Sequence, residues 1–294
     1  MDTLIIEKKN EVYITVDCDP NVQREISEFF TFYVPGYKFM PAFRNRMWDG
    51  KIRLYSQKTK EIYFGLFPYI RAFAEERGYH IVAGKDVEID NKVDKEVVTK
   101  FSNSLGQKFE ARDYQIDAIY HSLKFNRALL LSPTASGKSF IIYSLIRYYS
   151  HLIKDNPNNR ILLIVPTTSL VEQMYSDFQS YGWNVKKNCH RLYSGYSNQT
   201  NKKVLISTWQ SLYKLPKKYF EQFGCVFGDE AHLFKSKSLT EIMTKLVDCK
   251  YRIGLTGTLD GAQTHKLVLE GLFGAVNKVT STRKLMDKKQ LSNL

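Results

Sequence analysis

From Arg127 onward the sequence alternates short continuous apolar runs with stretches of helical period, and this alternation restricts the fold more than any other feature. "RALLLSP", "ILLIVP", "KVLIST", "CVFGD" and "YRIGLTG" lack the polar alternation of a half-solvated strand, so they read as strands buried on both faces. Between the first two lies "KSFIIYSLIRYYSHLI". After the second, "TSLVEQMYSDFQSYG" sets Leu170, Met174 and Phe178 on one helical face and ends at Gly182. Strands that alternate with helices specify a parallel sheet covered by helices on both faces. Ligands of such sheets sit beyond the carboxyl ends of the strands.

The first hundred residues read differently, as a small mixed α/β unit. "EVYITVD" alternates as a strand, "NVQREISEFF" has helical spacing after Asp19-Pro20, and "KIRLYS" and "EIYFGL" read as a strand pair. "PYIRAFAEERGY" is a helix stopped near Gly78, and "GKDVEIDNKVDKEVV" is a linker or exposed helix. These patterns divide the chain into residues 1–105, residues 106–280 and a terminal segment, 281–294.

Charge follows the same division. Residues 1–100 hold 16 basic and 16 acidic side chains, so the whole excess of +13 lies in residues 101–294. A polyanion partner, with nucleic acid foremost, fits that surplus, as does a generally basic surface. The N-terminus lacks the apolar core of a signal peptide, and no run is long enough to span a bilayer, which implies a cytoplasmic protein without membrane contact. Cys18, Cys189, Cys225 and Cys249 are too far apart in sequence to form a C-x-x-C site.

Two segments carry chemistry. In "LSPTASGKSF", Gly137, Lys138 and Ser139 complete the end of a phosphate-binding loop, but Ser132 stands where that motif has its first glycine. The loop follows an apolar strand and opens a helix, the context in which backbone N–H groups hold a phosphate. There Lys138 reaches the β- and γ-phosphates and Ser139 ligates Mg²⁺; a plain loop with a helix-starting serine is the alternative. Further on, "CVFGDEAH" puts Asp229 and Glu230 at the end of a strand, on the edge where that loop opens. Asp229 is placed to hold the metal and Glu230 to orient and deprotonate a water.

With these motifs in order, the chain resembles the superfamily 2 helicases of the DEAH-box type. Ser132 to Ser139 looks like their motif I, with Pro133, Thr134, Ala135, Ser136 and Gly137 forming the loop. Asp229-Glu230-Ala231-His232 looks like motif II and Thr256-Gly257-Thr258 like motif III. The family commonly lacks the first loop glycine, while Ala135 stands where many members have glycine. The resemblance implies a RecA-like sheet that binds ATP with Mg²⁺. It also implies that Gln115 of "FEARDYQIDAI" reads the adenine edge, that Arg112 supports the nucleotide or the loop, and that Phe109 stacks on the base. "IVPTTSLVEQM" and "ISTWQSL" look like motifs Ia and Ib, so Thr167, Thr168 and Thr208 would meet a nucleic-acid backbone, although the same threonines suit helix capping. His232 would couple motif II to motif III through Thr256 or Gln210, with Thr258 at the end of that coupling. Metal ligation by His232 is disfavoured because no second His or Cys has the required spacing.

Tyr37 to Lys60 adds Lys38, Arg44, Arg46, Lys51, Arg53, Lys58 and Lys60 against one acid, Asp49, with Phe39, Phe43 and Trp48 interleaved. That mixture suits phosphate attraction and base stacking; a solvated basic face over core aromatics is the alternative. A small domain with such a segment ahead of a helicase core resembles the recombination helicases of tailed bacteriophages. The resemblance implies a monomeric, ATP-driven 3′-to-5′ DNA helicase that remodels branched intermediates in the cytoplasm of an infected bacterium. A double-strand translocase of the restriction-enzyme type and a non-catalytic annealing module remain alternatives. Such motors close on ATP between two RecA-like domains, so residues 281–294 are expected to begin the connection to a second one in cis. The 294 residues alone are expected to bind DNA with little ATP turnover.

Overall fold

The computed structural model describes residues 2–233, 236–259, 261 and 263–287. The chain divides into two compact units, residues 1–88 with 260–275 and residues 89–259 with 276–294.

The first unit contributes β1 (Thr3–Lys8), β2 (Tyr13–Asp17), β3 (Thr31–Tyr33), β4 (Lys51–Arg53), β5 (Glu61–Tyr63) and β6 (His80–Ala83). Four of these form a sheet in the order β5-β2-β1-β6, parallel only between β1 and β6. Alternation decides its buried side: Leu4, Ile6, Ile14 and Val16 are fully buried while their neighbours along each strand are more accessible. Asp19 caps the helix Pro20–Phe29 by accepting from the Asn21 N–H at 2.8 Å, and Gly78, at φ +68°, ends the helix Phe67–Arg77.

"KIRLYS" and "EIYFGL" do form strands, but they are not partners. Lys51–Arg53 pairs antiparallel with Thr31–Tyr33, while Glu61–Tyr63 pairs with β2. Period marks a strand but does not choose its neighbour. These units do not coincide with boundaries at 105 and 280, because the helix Gln263–Leu272 packs within the first unit, against β5 and the turn Phe64–Leu66. A Cβ on Gly65 would lie 1.9 Å from the Glu270 carbonyl oxygen, and the Tyr69 hydroxyl donates to Glu270 Oε2 at 2.7 Å. Only a residue without a side chain lets the backbone approach so closely.

The second unit is built on β7 (Arg127–Leu131), β8 (Arg160–Val165), β9 (Cys189–Leu192), β10 (Val204–Thr208), β11 (Phe223–Gly228), β12 (Tyr251–Thr256) and β13 (Val276–Lys278). The order is β13-β7-β12-β11-β8-β10-β9, and every pairing is parallel. This is a RecA-like doubly covered sheet, as the apolar runs require. Ala128, Leu130, Ile161, Leu163 and Val165 join one core with helices Asp113–Phe125, Lys138–Leu152 and Thr168–Ser180. The alternate residues Leu129, Leu162 and Ile164 are buried as well, which explains the absence of polar alternation. Arg252, fully buried in β12, donates to the Leu246 and Met243 carbonyls at 2.9 and 2.8 Å, at the end of helix Ser236–Lys245. The polar stretch after Gly84 does contain a helix, Lys95–Asn103. No described helix is long and apolar enough to cross a membrane. A last helix spans Thr282–Asp287; the rest of the expected connection, 288–294, lies outside the described residues.

Candidate active site

Because all seven strands of the second unit are parallel, their carboxyl ends share one edge, and the expected motifs follow five of them. Ser132 to Ser139 follows β7, Thr167 and Thr168 follow β8, Thr208 ends β10, Asp229 and Glu230 follow β11, and Thr256 ends β12.

The phosphate loop is held from inside. Ser132 N–H donates to the Thr256 carbonyl at 2.8 Å, Ser132 and Ser136 hydroxyls meet at 2.6 Å, and Ser136 Oγ donates to the Pro133 carbonyl at 2.6 Å. Ser132 and Ser136 are fully buried, so the serine at the first-glycine position ties the loop to itself. Pro133 is half-buried, while Thr134 and Ala135 are exposed at the crest. Gly137 (φ +79°) precedes the helix without a side-chain cap, so the first-turn N–H groups of Lys138 and Ser139 have no acceptor within the helix.

Gln115 is buried and serves the loop. Its Nε2 donates to the Ser136 carbonyl at 3.0 Å and its Oε1 accepts from the Arg112 N–H at 3.0 Å. A Cβ on Gly137 would lie 2.3 Å from that Nε2. The amide expected to read adenine is therefore a brace between the helix start and the loop in this structure. Arg112 donates to the Tyr114 hydroxyl at 2.7 Å, and Phe109 stays 47% exposed with its ring edge-on to Phe140 and Tyr181.

The three motifs converge on Glu230. Lys138 Nζ pairs with Glu230 Oε1, Gly257 N–H donates to Oε2 at 3.4 Å, and His232 Nδ1 lies 3.5 Å from Oε2. His232 Nδ1 also meets Thr256 Oγ1 at 2.6 Å, and Thr256 Oγ1 donates to the Thr258 carbonyl at 2.6 Å. Of the two expected couplings, the Thr256 arm is thus formed; Gln210 lies exposed on the helix Trp209–Leu212. Glu230 itself has φ +48°, a strained backbone for a residue with a side chain.

Asp229 differs in kind. It is 2% exposed, and its Oδ1 is buried with no hydrogen-bond partner among the described residues. Burial pushes its carboxyl up to about 6, opposed by Lys138 and reinforced by Glu230. A buried oxygen without a partner is the donor a hydrated Mg²⁺ would use, and this observation makes the residues present fit the metal. No cluster of three or more His, Cys, Asp or Glu suited to a metal occurs among the described residues, so protein groups alone do not form a cage. Ser139, the other expected ligand, has its hydroxyl 2.8 Å from that of Tyr181, a partner no local sequence pattern signals.

The threonines separate. Thr167 caps the helix Thr168–Ser180, accepting from Leu170 N–H at 3.3 Å, and stays exposed beside Thr168. Thr208 is buried, and its hydroxyl meets Ser211 Oγ at 3.1 Å. In the first unit Arg44 and Arg46 are exposed, Arg53 pairs with Asp49, Lys51 sits 4.9 Å over the Tyr33 ring, and Trp48 Nε1 donates to the Lys51 carbonyl at 2.9 Å.

A family model described as "Type III restriction enzyme, res subunit" matches residues 108–261, and one described as "DNA helicase UvsW, N-terminal" matches residues 6–84. The crystal structure of the UvsW helicase from bacteriophage T4 superposes with a TM-score of 0.84 at 32% identity, covering 95% of this chain and all of that one. The chain belongs to the UvsW helicase family. Against the ATP-dependent DNA helicase uvsW of Enterobacteria phage T4 it is 34% identical over 291 residues, covering 96% of this chain and 57% of that protein. This UvsW-family chain therefore spans little more than half the length of that curated relative. A DNA 3′-5′ translocase, XPB2 of Sulfurisphaera tokodaii, is 26% identical over 155 residues, covering 51% of this chain and 31% of that protein.

One family departure has a measurable consequence. Ala135 occupies φ +64°, a left-handed conformation costing about 1–2 kcal/mol for a residue with a Cβ. Glycine removes that strain but gains freedom when unfolded, so Ala135→Gly is expected to stabilise the chain by about 0.5–1 kcal/mol. Urea denaturation checks it; a destabilised variant contradicts the strain.

Proposed function

We propose that the chain is the ATP-binding and DNA-engaging part of an ATP-driven DNA helicase that remodels branched recombination and replication intermediates. The observation that carries the reading is the meeting of Lys138, Glu230 and Gly257 beside the unpartnered buried oxygen of Asp229, at the carboxyl edge of a RecA-like sheet. The family, and the ATP-dependent DNA helicase of phage T4 to which the chain is similar, support it. Lys138 turns from Glu230 to the β- and γ-phosphates, and first-turn N–H groups hold the phosphate chain. Asp229, with Ser139 once released from Tyr181, would hold Mg²⁺. Bound there, the metal would neutralise charge on the phosphates. Glu230, freed of its ammonium partner, orients and deprotonates the attacking water, while His232 couples its position to motif III through Thr256. Thr167 and Thr168 give sequence-independent contacts to the DNA backbone.

On this reading an arginine from a second RecA-like domain supplies about 10³- to 10⁵-fold of the rate, so the 294 residues alone turn ATP over near background. Brisk DNA-stimulated hydrolysis by them would contradict it. Lys138→Ala is expected to weaken binding of a fluorescent ATP analogue by about tenfold to a hundredfold, from the loss of a charged hydrogen bond. DNA affinity should stay within about twofold. Unchanged nucleotide affinity would favour the non-catalytic annealing module.

The restriction-enzyme model over residues 108–261 favours one second reading, a double-strand translocase. Strand displacement on a fork by a chain that includes the second motor domain separates the two: movement along DNA without strand separation selects the translocase.

A further inference from the structure

In the first unit, residues 33–50 fold around a small aromatic knot. Tyr37 stacks on Tyr33 at 4.7 Å and meets Phe43 edge-on at 4.8 Å. Gly50, at φ +79°, leaves the space the Tyr37 ring fills, since a Cβ there would lie 2.3 Å from the ring. The interleaved aromatics therefore have different duties: Phe43 packs in the knot, Trp48 is half-buried and hydrogen-bonded, and only Phe39 faces solvent.

Phe39 is 85% exposed and Met47, which belongs to the same segment, 81%. No other described large hydrophobic residue approaches these values; the next is Leu233 at 58%. Lys38, Arg44 and Arg46 line, with Phe43, Met47 and Trp48, a cleft of about 640 Å³, and Phe39 follows Lys38 in the turn Tyr37–Phe39. The nearby acid Asp49, which also lines the cleft, is taken by Arg53, and Arg44 and Arg46 enter no ion pair among the described residues. Uncommitted guanidinium groups beside apolar tips match a polyanion that also offers flat apolar faces.

We infer that Phe39 and Met47 contact unpaired nucleobases of branched DNA while Lys38, Arg44 and Arg46 hold the flanking phosphates. In a duplex the base faces are already stacked, so an exposed ring finds no partner there; at a branch point or on a single strand those faces are open. The apolar tip then selects branched over continuous DNA, whereas the basic groups bind both. This inference rests on the DNA-binding reading above and adds to it which part of the DNA the surface touches.

The test uses the 294-residue chain, a fork with single-stranded arms carrying 2-aminopurine at the branch, and a blunt duplex of equal length. Phe39→Ala is expected to weaken fork binding about tenfold and abolish the 2-aminopurine response, with duplex affinity unchanged and Phe39→Trp restoring both signals. Met47→Ala should give a smaller loss of the same selectivity. Arg44→Ala and Arg46→Ala should each lower the salt slope of log K by about 0.7–0.9 on both DNAs. If the arginine variants change the slope but Phe39→Ala affects neither DNA, or both equally, base contact is overturned while DNA binding stands. An unchanged slope in all variants overturns the DNA-binding reading of this surface and the inference with it. Loss of binding to phosphatidylserine vesicles alone would assign the tip to a membrane surface and overturn it too. Because Phe39 is exposed, its replacement removes no core packing.

Discussion

Replacing Glu230 by glutamine is expected to slow ATP turnover, measured on a chain that carries the proposed second motor domain, by about 10²- to 10⁴-fold while nucleotide binding is kept or strengthened. The two effects share one cause. Without nucleotide, the Glu230 carboxylate is the charge partner of Lys138, so phosphate must displace it to gain the ammonium. Glutamine keeps the shape and still accepts from Gly257 N–H, but it neither competes as an ion nor removes a proton from water. Affinity for a fluorescent ATP analogue, measured on the 294-residue chain, should therefore stay level or rise severalfold as steady-state hydrolysis collapses. A fall in turnover of less than about tenfold would remove Glu230 from the base role. Parallel losses in binding and turnover would show instead that its contacts with Gly257 and His232 shape the site.

Such a site was legible in order but not in its wiring. The five strands that deliver the motifs are buried on both faces, so their apolar runs announce them. The edge strands β9, "CHRL", and β13, "VNK", are short and mixed in character, and neither period nor composition distinguishes them from loops. Spacing from Lys138 marks Gln115, and a place at the end of an apolar run marks Asp229. That the Gln115 amide braces the loop, or that Tyr181 meets Ser139, depends on pairs 21 and 42 residues apart, and no local rule reaches them. The same limit hid the helix Gln263–Leu272 inside the first unit: its placement rests on the backbone approach at Gly65, about two hundred residues earlier in the chain. Exposure was equally out of reach. Phe39, Phe43 and Trp48 are alike in a sequence, and only tertiary packing leaves Phe39 in water.

Asp229→Asn is expected to make the protein more stable at pH 7.5 while removing Mg²⁺-dependent nucleotide binding. Burial raises the Asp229 carboxyl to about 6, against roughly 3.9 for an exposed aspartate. A carboxyl raised in the folded state costs stability wherever the folded protein must ionise it. That cost is full above about pH 6, shrinks as pH falls through the folded value, and disappears near the unfolded one. Two pKa units correspond to about 3 kcal/mol. Asparagine carries no charge to bury, so the variant should unfold about 5 °C higher at pH 7.5, with the gap narrowing below pH 6 and closing near pH 4. Saturating Mg²⁺-ATP should reverse the ranking at pH 7.5, because only the wild-type chain gains the ligand's stabilisation. Calorimetry across that pH range decides it: a variant less stable than wild type, or a difference that ignores pH, would show that Asp229 serves the fold. The expected pattern means that the folded chain tolerates an unpartnered buried oxygen, at a cost to its own stability, because a bound cation supplies the missing partner.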